Sequence, residues 1–245
     1  MLAGISVDYV VRLEQARGPV PSAQVLGALA RALRLDVDER DELFHLAGTT
    51  APGPGTIQLH VRPSVLRLID RFADLPAVVL SAKGDVLAWN ALSSALHGDW
   101  SALPPERRNL NRLRFLPDPA DPPRSSVGAT DEEREATAAQ TVAGLRAAAA
   151  RYPDDLGLRR LLDDLRSGSR EFAELWETAT AGGWRSHSKT VNHPDLGPLV
   201  LDCDTLHVPD ADQVVIVYSA APGTPEAEAL ALLRVVGLQQ LDGVR

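Results

Sequence analysis

The chain has 245 residues, enough for one large domain or for a small one followed by a medium one. Hydrophobic residues make up 44% and charged residues 24%, as in an ordinary globular protein, and no apolar run approaches the roughly 20 residues of a membrane-spanning helix. Net charge is -8 and Cys203 is the only cysteine, so an internal disulfide is excluded, the cytoplasm is the expected compartment, and overall charge gives no support to nucleic-acid binding.

The first expected element is a helix over 7–16. Ala3-Gly4-Ile5 makes a turn, Ser6 caps the helix, and Val7, Val10, Val11 and Glu14 recur at spacings of three and four before Arg17-Gly18 ends it. The second lies in "VPSAQVLGALARALRL". Pro21-Ser22 is a start signal, and Val25, Leu26, Leu29, Ala30 and Leu33 share one face. The third, "DVDERDELFHLAG", opens on acids, carries Leu43, Phe44 and Leu46 inside, and closes on Gly48, the charge and cap order that a helix favours.

Three such helices can form a lid or a dimerisation element, but their residues point further. "AGISVDYVVRLEQARGPVPSAQVLGALARALRL" resembles an Xre-type helix-turn-helix: a small residue and Gly in the turn, Ser at the cap, Leu-Glu near the end of the recognition helix, and Pro-Ser before "LARAL". The resemblance implies a double-stranded DNA operator as partner. Val7, Asp8 and Arg12 would face the major groove, with Ser6 and Tyr9 near phosphates. Glu14 is read as structural. The helices that open this motif are not found ahead of Leu2. Met1 is therefore expected to be an internal start within a longer reading frame; the alternative is a chain that has lost the half-motif and does not bind DNA by itself. Residues 1–50 hold five basic side chains (Arg12, Arg17, Arg31, Arg34, Arg40) and seven acidic ones (Asp8, Glu14, Asp36, Asp38, Glu39, Asp41, Glu42), a balance of -2 with no electrostatic footprint for nucleic acid.

Breakers in "GTTAPGPGTIQLH" mark a linker. The expected organisation is a partial helix-turn-helix unit over 1–48, a linker over 49–61, and a PAS-like domain over 62–236. "VRPSVLRLIDRF" is a helix with Val65, Leu68, Ile69 and Phe72 on one face. In "PAVVLSAKGDVLAWNALSSAL", 77–80 and 86–89 are strands around a Lys83-Gly84-Asp85 turn, and Asn90 starts a helix, the order in which a PAS-like sensor begins. The segment "LPDPADPPRSSVGATDEEREA", with four prolines, is expected to be a mobile loop ending at a Thr130 cap. Helices follow over 131–151, 155–166 and 169–181, strands over 184–191, 197–206 and 213–219, and a last helix over 225–236. The class is α+β: an antiparallel sheet with helices on one face, behind a helical N-terminal unit.

Residues 62–235 resemble the ligand-binding domain of the MmyB-like transcription regulators. The resemblance rests on "LPAVVLSAKGDVLAWNALSSAL", "RNLNRLRF", "GLRAAAARYPDD", "EFAELW", "HPDLGPLVLDCDTL" and "VYSAAPGTPEAEALALL", in that order. It implies a PAS-like domain behind an Xre-type helix-turn-helix, a small apolar or fatty-acid-like ligand, and a homodimer reading paired half-sites. The sequence departs from the family after Phe115, where an aromatic segment of "YPDWE" type is replaced by the proline-rich one.

The candidate ligand-binding residues are Trp89, Asn90, Asn109, Arg112, Phe115, Trp176 and His193. Asn90 suits a helix cap or a ligand contact. Asn109, Arg112 and Phe115 recur at three, and Arg112 can meet a ligand carboxylate or an internal acid. Trp89 and Trp176 suit a core or a pocket wall. Pro194 holds His193 extended. His187 with His193, and Asp202 and Asp204 with His207, have poor metal spacing, and Cys203 is expected in the core. No nucleophile elbow, phosphate loop or paired-His motif is present, so no enzyme, cofactor, metal or membrane partner is expected. The runner-up function is a ligand-sensing or protein-interaction module that does not itself bind DNA.

Overall fold

The computed structural model describes residues 7–15, 17, 20–35, 37–49, 55–128, 130–179, 187–208 and 211–242. They form two compact units, Met1–Pro54 and Gly55–Arg245. Among the described residues no helix is long and apolar enough to cross a membrane.

The first unit holds α1 (Val7–Glu14), α2 (Ala23–Leu33) and α3 (Val37–Leu46). Among the described residues Leu26 and Ala30 of α2 and Phe44 of α3 are its buried side chains, while Leu33 and Leu46, expected on the same apolar faces, are exposed at the helix ends. The Ser22 hydroxyl accepts from the Val25 N–H at the start of α2. Gly48 closes α3 at φ +70°, where its N–H reaches His45 O and the Thr49 N–H reaches Phe44 O, satisfying carbonyls that the helix end leaves open.

The second unit opens with α4 (Pro63–Asp70), the hairpin β1 (Ala77–Leu80) and β2 (Val86–Trp89), α5 (Ala91–His97) and, past two short 3-10 turns, α6 (Leu110–Phe115). Then come β3 (Ser126–Val127), α7 (Asp131–Arg151), α8 (Leu156–Gly168), α9 (Arg170–Thr178), β4 (His187–His193), β5 (Gly197–Val208), β6 (Gln213–Ser219) and α10 (Pro225–Asp242). One antiparallel sheet runs β2-β1-β6-β5-β4-β3. This is the α+β class.

The neighbouring strands β1 and β6 are mainly apolar because both their faces are covered, whereas β5 alternates buried and exposed residues. Val78 and Leu80 of β1 and Ile216 and Tyr218 of β6 share one face with Leu199, Leu201 and Cys203 of β5. Leu92 and Leu96 of α5 and Leu230 and Leu233 of α10 pack there. The alternate residues, Ala77, Val79, Val215 and Val217, meet Val61 and, from α4, Ile69. A third core joins α7, α8 and α9 through Val142, Leu145, Leu158, Leu165, Phe172 and Trp176, with Phe115 and Ile57.

The segment after Phe115 departs from its expected form. It is no free loop: Ser126 and Val127 pair with Asn192 and Val191 of β4. Upstream, Asp121 is ion-paired with Arg107, and the Arg124 guanidinium donates to the carbonyls of His97, Gly98 and Asp99. Its prolines lack backbone donors, so arginine side chains supply the bonds that a ladder would have made. Thr130 does cap α7, accepting from the Glu133 N–H at 3.1 Å. Element ends also move. The helix α9 stops at Thr178, β4 runs on to His193, and α10 continues to Asp242. The expected strand start at 184–186 lies outside the described residues.

Candidate functional site

A cavity of about 430 Å³ opens between the α5/α10 face of the sheet and the helices that follow α5. Val78, Ile216 and Tyr218 form its floor with Lys189, which faces inward from β4 opposite Leu201. His97 at the end of α5 and Trp100 close one side, Leu110, Leu113 and Arg114 of α6 a second, and Arg134, Thr137 and Thr141 of α7 a third. The remaining wall is the segment Pro117–Val127, the part of the sequence that reads as a loop.

Polar groups cluster at the buried end. The His97 ring stands edge-on to Tyr218 at 4.9 Å and tilted against Trp100 at 5.9 Å. Burial, with the charges of Arg124 and Lys189, lowers its pKa from 6.5 to about 4, so the imidazole is neutral near pH 7. Burial also pulls the Lys189 ammonium below its ordinary value and pushes the hydroxyl of Tyr218 and the thiol of Cys203 well up. The arrangement is a mostly apolar hollow with a few convergent polar groups, the form of a small-molecule site.

None of the seven residues singled out from sequence lines this cavity. Asn90 is buried and fully engaged. Its Oδ1 accepts from the N–H groups of Ser93 and Ala77, and its Nδ2 donates to the carbonyls of Phe72 and Leu75 at 3.0 and 2.8 Å. Asn109 caps α6 through Oδ1 and holds Lys83 O and Asp85 through Nδ2. Arg112 is ion-paired with Asp164. Asn109 and Arg112 are brought together at a separate surface hollow, with Lys83, Arg108 and Arg160. Phe115 packs edge-on to Phe172, and Trp176 stacks on Phe172 with Arg166 over its ring. Trp89 is half-buried under Arg108. The His193 Nδ1 accepts from the N–H groups of Asp195 and Leu196, so Nε2 carries the proton and donates to Ala95 O at 3.1 Å.

Sequence reasoning missed His97, Trp100, Arg124, Lys189 and Tyr218. One signal was available. The inward positions of β4 and β5 alternate as Lys189, Val191 and Leu199, Leu201, Cys203, and a lysine among them is out of pattern.

In the first unit, Val7 and Asp8 begin α1, Tyr9 is half-buried and Arg12 is exposed. Ser6 lies outside the described residues.

A family model described as an MmyB-like transcription regulator ligand binding domain matches residues 61–233, and one described as a helix-turn-helix domain matches residues 1–43. No curated protein matches the chain.

Proposed function

The chain belongs to the MmyB-like transcription regulators, joining a helix-turn-helix domain to a ligand-binding domain, and from that premise we propose what it senses and how. It acts in the cytoplasm as a homodimer on a double-stranded DNA operator. A small apolar or amphipathic, fatty-acid-like molecule in the cavity beneath α5, α6 and α7 changes its hold on that operator. The observation that carries the ligand reading is the cavity itself, with its apolar walls, within the matched ligand-binding region. Regulation then requires different ligand affinities in the DNA-competent and incompetent states. On the DNA side Val7, Asp8, Tyr9 and Arg12 are the described candidates, with Ser6.

The test uses the full chain and fragments of its host's DNA. Retained fragments should share a paired half-site, and dodecanoate should change their retention. Retention without a shared site, or indifference to dodecanoate and dodecanol alike, overturns the proposal. One observation favours a second reading, a sensor acting through a protein partner: residues 1–50 are net acidic. That reading requires no retention of DNA at low salt, where phosphate contacts are strongest.

A further inference from the structure

The segment that opens the second unit is tied to two of the elements that enclose the cavity. Ile57 is buried in the core of α7, α8 and α9, and Val61 in the core on the α4 face of the sheet. Between them two buried side chains hold the backbone. The Ile57 N–H donates to Oδ2 of Asp155 at 2.9 Å, and Gln213 Nε2 donates to the carbonyls of Gln58 and His60 at 3.2 and 3.0 Å. Asp155 also caps α8, its Oδ1 accepting from the Leu158 N–H at 2.7 Å. Burial alone would raise its pKa, but the N–H groups of Ile57 and Leu158, with Lys83, outweigh it and hold the carboxyl below its ordinary range. Both of its bonds are therefore charge-assisted.

Asp155 belongs to the corner between α7 and α8, and Gln213 begins β6. These two places are themselves joined. Tyr152, just past the end of α7, donates its hydroxyl to Oδ2 of Asp212 at 2.7 Å, and Arg151 pairs with the same oxygen at 3.3 Å. The opening segment, the end of α7 and the start of β6 thus meet at one point. The first half of α7 walls the cavity with Arg134, Thr137 and Thr141, and β6 floors it with Ile216 and Tyr218. Gln213 makes its join at a cost, because its Oε1 is buried without a partner.

We propose that residues 57–60 form a ligand-operated clamp on the chain that leads out of the first unit. A molecule filling the cavity braces α7 against β6, keeps their joined ends in place, and so holds the segment through Asp155 and Gln213. In the empty protein those ends part more often and let it go. The held and released states are the two arrangements that a transmitted effect requires, and the ligand favours the first. This rests on reading the cavity as the ligand site of a DNA-binding chain. Asp155 and Gln213 are positioning residues that touch no ligand.

The test uses the full chain with dodecanoate as probe. In the wild type, saturating dodecanoate is expected to slow amide exchange over 57–61 at least fivefold, while α4, which lines no part of the cavity, changes less than twofold. Gln213→Met and Asp155→Asn should bind dodecanoate by calorimetry within about threefold of wild type. The factor by which dodecanoate changes retention of a host DNA fragment should fall to about one in each. Exchange over 57–61 that ignores bound dodecanoate overturns the clamp and leaves the ligand reading standing, as does a retention factor that survives both substitutions. If a variant loses dodecanoate binding, the wild-type exchange result decides. A wild type that binds no dodecanoate, or whose retention ignores it, overturns the reading on which the clamp rests.

Discussion

Gly84 turns the β1–β2 hairpin at φ +84°, and a Cβ there would lie 2.5 Å from the side-chain nitrogen of Asn111. Asn111 is buried and donates to Lys83 O at 2.7 Å. Gly84→Ala therefore adds backbone strain to a displaced buried hydrogen bond, and is expected to cost about 2 kcal/mol, read as a fall of several degrees in Tm. His97 makes a pH prediction. Its pKa falls from 6.5 in the open chain to about 4 in the fold. The unfolded state therefore binds the proton first. The contribution of a neutral His97 is complete above pH 6.5 and is lost as pH drops toward 4, amounting to about 3 kcal/mol over that window. Urea midpoints of His97→Gln should fall less steeply than wild type between pH 6.5 and 4; parallel profiles would contradict the assignment.

At the level of elements, Asn90 joins three of them: it caps α5, anchors the start of β1 at Ala77, and holds the carbonyls that follow α4. Asn90→Ala leaves several buried groups unsatisfied and is expected to cost about 3 kcal/mol in denaturant unfolding. Asn90→Asp keeps the cap but aims a carboxylate at those carbonyls, so it should rescue only part of the loss.

The elements were legible because their signals are local. The apolar run of β1, the Asn90 and Thr130 caps and the acids of the first α7 turn all act within a few residues. The cavity was not legible because its lining is assembled from β1, α5, α6, α7, β4 and β6. Arg112 shows the difficulty. Spacing places it on a helix face, but only the fold brings Asp164 of α8 to it. The Pro117–Val127 wall shows another. Four prolines signal the absence of a ladder, and nothing nearby announces that Arg107 and Arg124 would fix the segment in its place.

For the whole molecule, the proposed regulation makes a demand that is independent of mechanism. If saturating dodecanoate changes operator affinity by some factor, saturating operator must change dodecanoate affinity by the same factor. Titrations in both orders check this, and unequal factors would show that a further component carries the effect. Occupancy should also protect the fold. At a hundred times its Kd, a ligand that binds only the folded chain adds about 2.7 kcal/mol, and the unfolding transition of the Gly55–Arg245 unit should rise accordingly.

The order β2-β1-β6-β5-β4-β3 bears on how the chain reaches this state. The paired strands β1 and β6 come from opposite ends of the domain, and their register, Val78 with Ile216, joins residues more than half the chain apart. During synthesis β1 must wait for β6 with one edge unpaired, though α4 and α5 can already cover its faces, while α7, α8 and α9 can close on one another as soon as they emerge. Pairing over such a separation is slow, and the waiting hairpin is the part most open to mispairing with other chains. Val78 and Ile216 are also floor residues of the cavity, so a nascent chain acquires its capacity to sense only with nearly its last strand.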